Sequence, residues 1–311
     1  MMLKSRFAMW MAWGPELTFF CNDAYAPTLG IKQEWAIGAR SDKVWVEIWP
    51  DIGPRIESVF ERNEATWDED LLLFLERSGY QEETYHTFSY SPLADDDGAV
   101  RGMLCVVTEV TERVVAERRV ATLRDLGAQT ARARSVDEAC QIAMQVLEHN
   151  RQDFPYALIR MLDAQRRRAK CVAGSPADHD LLVEVLEIDQ EPQLAQMLAS
   201  DEIVTIALSP EESARLPRGV WPTPPVQAFM APMLAKTDSG ISGIFVAGIN
   251  PYRRFDAAYR DFAETVATQI ASAIANANAH EEERMRAAAL AEIDRAKTAF
   301  FPMLATNFAR R

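Results

Sequence analysis

The chain opens on two short runs of strand-forming residues, Phe7–Trp13 and Leu17–Cys21, separated by the turn residues Gly14-Pro15-Glu16. Asn22-Asp23 is positioned to cap a short helix that Leu29-Gly30 closes. Ile52, Ile56, Val59 and Phe60 then fall at helical spacing, which predicts a helix within Trp45–Phe60 whose start is confined by Pro50 and Pro54. Three strands follow. Thr66–Leu75 ends in an apolar run, Leu71–Leu75. In Glu83–Pro92 the residues Tyr85, Thr87 and Ser89 alternate with His86, Phe88 and Tyr90. Val100–Val110 is joined to it by Asp95-Asp96-Asp97-Gly98, a hairpin turn of residues that tolerate left-handed φ.

The second half repeats the mixture with longer helices. Glu117–Arg134 reads as a helix, and Ser135-Val136-Asp137-Glu138 as the capping box of the next, with Ala139, Ile142, Ala143, Val146 and Leu147 on its apolar face. Tyr156–Leu162 and Lys170–Ala173 pair around the basic tip Arg166-Arg167-Arg168. Asp178–Leu186 is expected to be helical and Ile203–Ile206 a strand. Pro217, Pro222, Pro224 and Pro225 keep the next stretch irregular, because three of them crowd a short segment with no N–H to donate. Val226–Leu234 and Gly243–Ile249 are the last strands. Phe255-Asp256 starts a long helix with no Pro or Gly from Phe262 to Phe301, which Pro302 is expected to break. The fold class is therefore α+β: two domains, each an antiparallel sheet with flanking helices, joined and followed by long helices.

Composition narrows the function. A chain of 311 residues with 48% hydrophobic and 25% charged residues accommodates about two globular domains. A net charge of −13 argues against a nucleic-acid partner, which needs clustered Lys and Arg. No apolar run reaches the roughly 18 residues of a membrane helix, and the N-terminus lacks a signal-peptide cleavage site. A cytoplasmic protein is expected. Cys21, Cys105, Cys140 and Cys171 lack metal spacing and read as small buried hydrophobes.

Several motifs carry family resemblances. Asn22-Asp23-Ala24-Tyr25, the strand Phe88-Ser89-Tyr90-Ser91-Pro92-Leu93, the Asp97-Gly98 turn followed by Gly102, and the exit motif Thr108-Glu109-Val110-Thr111-Glu112-Arg113 make residues 1–112 resemble a PAS domain. Related PAS domains often carry a helix before the first strand, which here begins close to Met1. The resemblance implies a small-molecule pocket between sheet and helices, with Tyr25, Trp45, Trp49, Phe88, Tyr90 and Cys105 as candidate lining residues. It also implies Thr108, Glu109, Thr111, Glu112 and Arg113 as the signal exit. The flavin-binding helix with its reactive Cys is absent, and His86 reads as a surface or satisfied His rather than a haem ligand. Trp13, Trp35, Trp45, Trp49 and Trp67 read mainly as core. A packed domain acting only in dimerisation remains open.

Residues 119–280 resemble a GAF domain through Ala231-Pro232-Met233-Leu234, Gly243-Ile244-Phe245-Val246-Ala247-Gly248 and Tyr252-Arg253-Arg254-Phe255-Asp256. Neither a cyclic-nucleotide signature nor a Cys-His bilin pair is present, so the cofactor is unknown. Cys140 and Cys171 keep a redox-reductase alternative open. A connecting helix over 113–134 carries a coiled-coil spacing, Ala116, Val120, Leu123, Gly127 and Thr130.

Beyond the second domain, residues 281–301 resemble the start of the dimerisation and phosphoacceptor helix of bacterial sensor histidine kinases, with Asp294, Arg295, Lys297, Phe300 and Phe301 as the lead-in. Leu290, Ile293, Lys297 and Phe300 continue a seam. Residues 302–311 depart from that family, but synonymous codons can be chosen for them that, read one base out of register, spell Asn-Val-Ser-His-Glu-Phe-Arg-Thr-Pro, the family's acceptor sequence. A frameshift just before the acceptor His, which would fall at Thr306, is the expectation. The resemblance implies a sensory module of a two-component kinase, without kinase activity in this chain. It also implies a homodimer formed through helices and a histidine kinase or response regulator as partner. The alternatives are a dimerising regulator of an intact kinase, a redox reductase, or a purely structural dimerisation module.

Overall fold

The computed structural model describes residues 2–177, 185–234 and 241–308, with side chains described to Ile293 and at Arg295. The chain divides into two units, Met1–Arg118 and Arg119–Arg311.

The first unit is a five-stranded antiparallel sheet in the order β2-β1-β5-β4-β3, formed by β1 (Ala8–Trp13), β2 (Thr18–Cys21), β3 (Asp68–Leu75), β4 (Glu82–Ala94) and β5 (Val100–Glu109). Short helices α1 (Ala26–Leu29) and α2 (Ser41–Val44) and the longer α3 (Trp49–Arg62) supply the rest of its core. Ile52, Ile56 and Val59 of α3 are at most 1% exposed, each burial stabilising the unit by about 1.5–3 kcal/mol. Two expectations are corrected here. Pro54 lies inside α3 rather than limiting its start; it forfeits one backbone bond, which the buried apolar face offsets. Asn22 does not cap α1, whose N-cap is Tyr25. Its buried amide instead binds the N-terminal segment, donating to Phe7 O at 2.8 Å and accepting from Met9 N at 3.0 Å and Tyr25 N at 3.1 Å. The tryptophans are divided: Trp45 is in the core, whereas Trp35 and Trp67 are 49% and 67% exposed.

Helix α4 (Thr111–Thr130) begins six residues before the expected Glu117, because nothing after β5 interrupts it and Glu112 favours its first turn. Its buried positions are Thr111, Val115, Thr122, Leu126 and Thr130, while Ala116, Val120 and Gly127 of the expected seam are exposed. Thr130 therefore leaves that seam and joins the buried face.

The second unit is a six-stranded antiparallel sheet in the order β8-β7-β6-β11-β10-β9. Its strands are β6 (Ala157–Leu162), β7 (Arg168–Ser175), β8 (Val185–Glu187), β9 (Val204–Ala207), β10 (Gln227–Leu234) and β11 (Ile241–Gly248). The period-two alternation of strands divides its residues between two faces. Ile159, Phe229, Ala231, Phe245 and Ala247 join the core formed with α5 (Val136–Glu148) and α8 (Ala257–Phe308). Leu158, Met230 and Ile244 face the other way, toward α6 (Pro192–Ser200) and α7 (Pro210–Arg215). These two short helices were not expected. The helix expected at 178–186 is corrected: Val185–Glu187 is strand, paired with Arg168–Lys170, and residues 178–184 lie outside the described residues. The Ser135 cap accepts from Glu138 N, but Glu138 reaches Arg134 N at 2.8 Å rather than Ser135 N, so the box is not reciprocal. The basic tip is the β6–β7 turn, with Arg168 paired to Glu187. Helix α8 continues past Pro302 to Phe308; a proline within a helix removes one N–H and its bond, and here the helix carries on beyond that loss.

A buried polar network anchors the second unit. Asp153, whose side chain is wholly buried, accepts from Arg119 Nη2 at 3.2 Å and Asn150 Nδ2 at 3.1 Å. Asn150 also donates to Thr122 Oγ1 at 2.9 Å. The Arg119 guanidinium lies 4.4 Å from the Tyr259 ring centre, and the Tyr259 hydroxyl donates to Asp153 O. Asp153→Ala strands a buried guanidinium and is expected to destabilise the second unit by about 3–5 kcal/mol. Calorimetric melts should show its transition shifted downward while that of the first unit holds.

Candidate functional site

In the first unit, β4 turns Thr84, His86, Phe88 and Tyr90 inward. Phe88 and Tyr90 meet Trp10 of β1, Cys105 of β5, Tyr25 and Trp45 around a cavity of about 30 Å³, room for about one water. Five of the six candidate residues, Tyr25, Trp45, Phe88, Tyr90 and Cys105, thus line one interior. Trp49 does not: it packs on the core from the first turn of α3, its indole against Gly53. Aromatic contacts fill the space, with Trp10 stacked on Phe19 at 5.2 Å and edge-on to Tyr90 at 5.9 Å. Burial raises the pKa of Tyr25 and of Cys105 well above their ordinary values, so both are neutral. The Trp45 indole N–H is buried with no hydrogen-bond partner among the described residues. Beside it, Lys32 bonds Val44 O at 2.9 Å, pairs with Glu47 and lies 4.5 Å from the Trp45 ring centre.

The exit motif ties α4 to this sheet. Glu109 takes two bonds from Arg77, at 2.7 and 3.0 Å. Burial raises its carboxyl, but those bonds outweigh burial and hold it below the ordinary value. Thr111 Oγ1 donates to Glu109 at 2.9 Å and accepts from Tyr85 N at 3.0 Å. Arg113 pairs with Asp70 at 2.5 Å and Glu117 at 3.1 Å. Thr108 pairs with Thr87 in the β4–β5 ladder, and Glu112 is exposed on the first turn of α4. His86, opposite Glu109 in that ladder, is buried and bonded to Thr84 Oγ1 at 3.1 Å. One further pair joins the helix to the sheet: Arg118 meets the wholly buried carboxylate of Glu83 at 2.8 Å, and the Tyr85 hydroxyl donates to the same Glu83 oxygen at 3.0 Å.

The second unit has a larger cavity, about 420 Å³, on the sheet face away from α5 and α8, a volume ordinary for small-molecule sites. Tyr156, Leu158, Arg160, Met230 and Ile244 are its buried floor. Glu191, Gln193, Glu212 and Arg215 are exposed at its rim. None of these residues was singled out from the sequence. The available signal was Arg160, a lone charge in the apolar strand Tyr156–Leu162. A wider depression of about 720 Å³ lies between α5 and β7, but its Gln141, Gln145 and His149 are exposed.

Cys140 and Cys171 pack into different clusters. Burial raises both thiols, Cys140 to about 11, which disfavours their thiolate forms. All four cysteines are buried and free. Of the kinase lead-in, Arg295 is exposed, and the side chains of Asp294, Lys297, Phe300 and Phe301 lie outside the described residues. No helix among the described residues is long and apolar enough to cross a membrane.

A PAS-fold family model matches residues 4–115, and a GAF-domain family model matches residues 137–276. The chain carries a PAS domain followed by a GAF domain, two sensory domains that make it a signal-sensing module. A search of curated proteins found no match. Among solved structures, the phytochrome photosensory core module of Stigmatella aurantiaca is 14% identical at a TM-score of 0.42, the alignment covering 93% of this chain and 61% of that one. The GAF domain of an Acinetobacter phosphoenolpyruvate-protein phosphotransferase is 17% identical at a TM-score of 0.40, covering 52% of this chain and 95% of that one. A sensory box sensor histidine kinase from Vibrio cholerae is 15% identical at a TM-score of 0.28, covering 35% of this chain and 85% of that one. These likenesses are weak, and the domain assignment rests on the family models.

Burial pushes the His86 pKa down to about 4, with Glu109 opposing and Arg77 assisting. As pH falls from about 6.5, the ordinary imidazole value, the unfolded chain takes a proton that the folded PAS domain refuses. The contribution is complete above that pH and is lost on the way down to about 4, on the order of 3 kcal/mol for the whole shift. Thermal melts of the PAS domain between these pH values should show the slope, and His86→Gln should flatten it.

Proposed function

We propose that this chain is the input part of a two-component signalling system, in which the GAF cavity holds a small regulatory ligand. The PAS domain then acts as a packed partner whose exit motif sets α4, and the change leaves the GAF domain along α8. The observation that carries this reading is the contrast between the two interiors: about 30 Å³ in the PAS domain against about 420 Å³ in the GAF domain. The chain itself has no kinase activity in this reading and acts on a histidine kinase core. The resemblance of Asp294–Phe301 to the kinase lead-in, and the out-of-register acceptor sequence that the following codons can spell, support a kinase as the output. Joined in the register of α8 to a histidine kinase core, residues 1–301 should regulate autophosphorylation. Filling the GAF cavity with Ile244→Phe should lock the rate at one level, whereas a rate indifferent to that change would refute the reading.

A second reading, a dimerising regulator of a separate kinase, is favoured by the same helix. From Asn278 to Ile293 nearly every residue of α8 is exposed, and Leu290 and Ile293 are 66% and 53% exposed among charged neighbours. In both readings a second copy of this chain covers them, helix against helix. Sedimentation should give a dimer for the parent chain. The pair Leu290→Glu and Ile293→Glu should convert it to monomer with unchanged melts, since neither residue contributes to a core.

A further inference from the structure

The polar groups that line the GAF cavity differ in what they have left to offer. Arg160 on the floor and Arg215 at the rim each have an interaction partner within the protein. Glu212 accepts from Ser209 N at 2.8 Å in the reciprocal cap of α7. Glu191 and Gln193 are exposed at the rim, where water solvates them. Tyr156 is the exception. It is 4% exposed, and its hydroxyl has no hydrogen-bond partner among the described residues. Its ring lies against the backbone of Gly248, where an added Cβ would meet it at 2.6 Å, so the ring is held in place from that side. Burial first, and the charge of Glu212 second, raise its pKa, so it stays a neutral hydroxyl that can donate or accept. Around it the lining is aliphatic: Leu158, Met230 and Ile244 are buried, with Leu194, Ile206 and Val246 beside them. An ion drawn onto this surface gives up its hydration for hydrocarbon contacts, which is costly without a free counter-charge. An anion at Tyr156 would also stand in the field of Glu212.

We infer that the GAF cavity binds a neutral aliphatic molecule with a single oxygen function, its hydrocarbon body on Leu158, Met230 and Ile244 and its oxygen on the Tyr156 hydroxyl. The inference rests on this cavity being the sensing site and adds the class of molecule sensed. Such a molecule satisfies the one buried lining group that lacks a partner among the described residues, and it asks nothing of groups already engaged.

The test is calorimetric titration of the full chain with octan-2-one, octanoate and octylammonium, which share a chain length and differ in charge. The ketone should bind more tightly than either ion. Tyr156→Phe removes one oxygen that no described protein group holds, so its melts should match those of the parent chain. It should weaken the ketone by about threefold to tenfold, as expected for loss of one neutral hydrogen bond. Ile244→Phe fills the floor and should abolish ketone binding. Undiminished ketone binding by Ile244→Phe would place the ketone outside the cavity and overturn the inference. Ketone binding indifferent to Tyr156→Phe would overturn the role of the hydroxyl. Binding of either ion as tightly as the ketone would overturn the neutral class and leave the cavity as a sensing site. Binding of none of the three would overturn the inference alone, because the response of the kinase fusion to Ile244→Phe decides the sensing site independently.

Discussion

The GAF domain is organised around one buried carboxylate. Asp153 sits in the α5–β6 connection, where its side chain receives Arg119 from α4 and Asn150 from its own turn, while its backbone carbonyl receives the Tyr259 hydroxyl from α8. A charge without solvent is costly unless its lone pairs are satisfied. Here the carboxylate is satisfied by the helix that enters the domain and by its own turn, while the helix that leaves the domain holds the same residue by its backbone carbonyl. Tyr259 is itself in the aromatic core with Phe154 and Phe255, so polar and apolar packing cannot be rearranged independently. Any displacement of α4 in this domain must break an ion pair, a cation–π contact or a ring contact that α8 shares.

The preceding residue follows the same rule in the other domain. Arg118 meets Glu83, and that carboxylate too is wholly buried. Two consecutive positions of one helix are thus spent on buried acids, one belonging to each unit. With Glu109, Thr111 and Arg113 also engaged, the first third of α4 is held largely by polar contacts, with Val115 as its buried apolar residue. This accounts for its weak apolar periodicity: hydropathy alone finds little amphipathic face where the contacts are made by arginines.

Elements whose partner is the bulk core were legible in the sequence. Ile52, Ile56 and Val59 declare α3 by period, and the Asp-Gly turn declares the β4–β5 hairpin. The strand alternation also delivers Phe88, Tyr90 and Cys105 to one interior. Trp49 fails because it shares no helix with Trp45: Trp45 follows the end of α2 and Trp49 begins α3, so a spacing of four, which on one helix would put both on one face, carries no such information here. Helices α6 and α7 were missed because they are short and each begins with a proline, Pro192 and Pro210, which reads equally well as loop. Pro54 and Pro302 mislead in the other direction, since a local rule about missing N–H groups does not count what tertiary packing or neighbouring turns return. The GAF cavity was illegible for a different reason. Its walls come from strands and helices spread from Tyr156 to Val246, and only the fold brings them together; Arg160 was visible as an anomaly in its strand, but not what it faces.

The alternation along β6, β10 and β11 has an evolutionary consequence. Residues of one parity, such as Ile159, Phe229 and Phe245, belong to the helix-packed core, and those of the other, such as Leu158, Met230 and Ile244, belong to the cavity. A substitution at the second set reshapes what the cavity can hold and leaves the helical face of the sheet intact. Selection can therefore reshape the cavity on one parity of the strands while the other is held fixed by folding. A single-residue insertion in any of the three would exchange the two roles at once. Drift in the shape of the cavity is open to this domain by substitution, and closed to it by insertion.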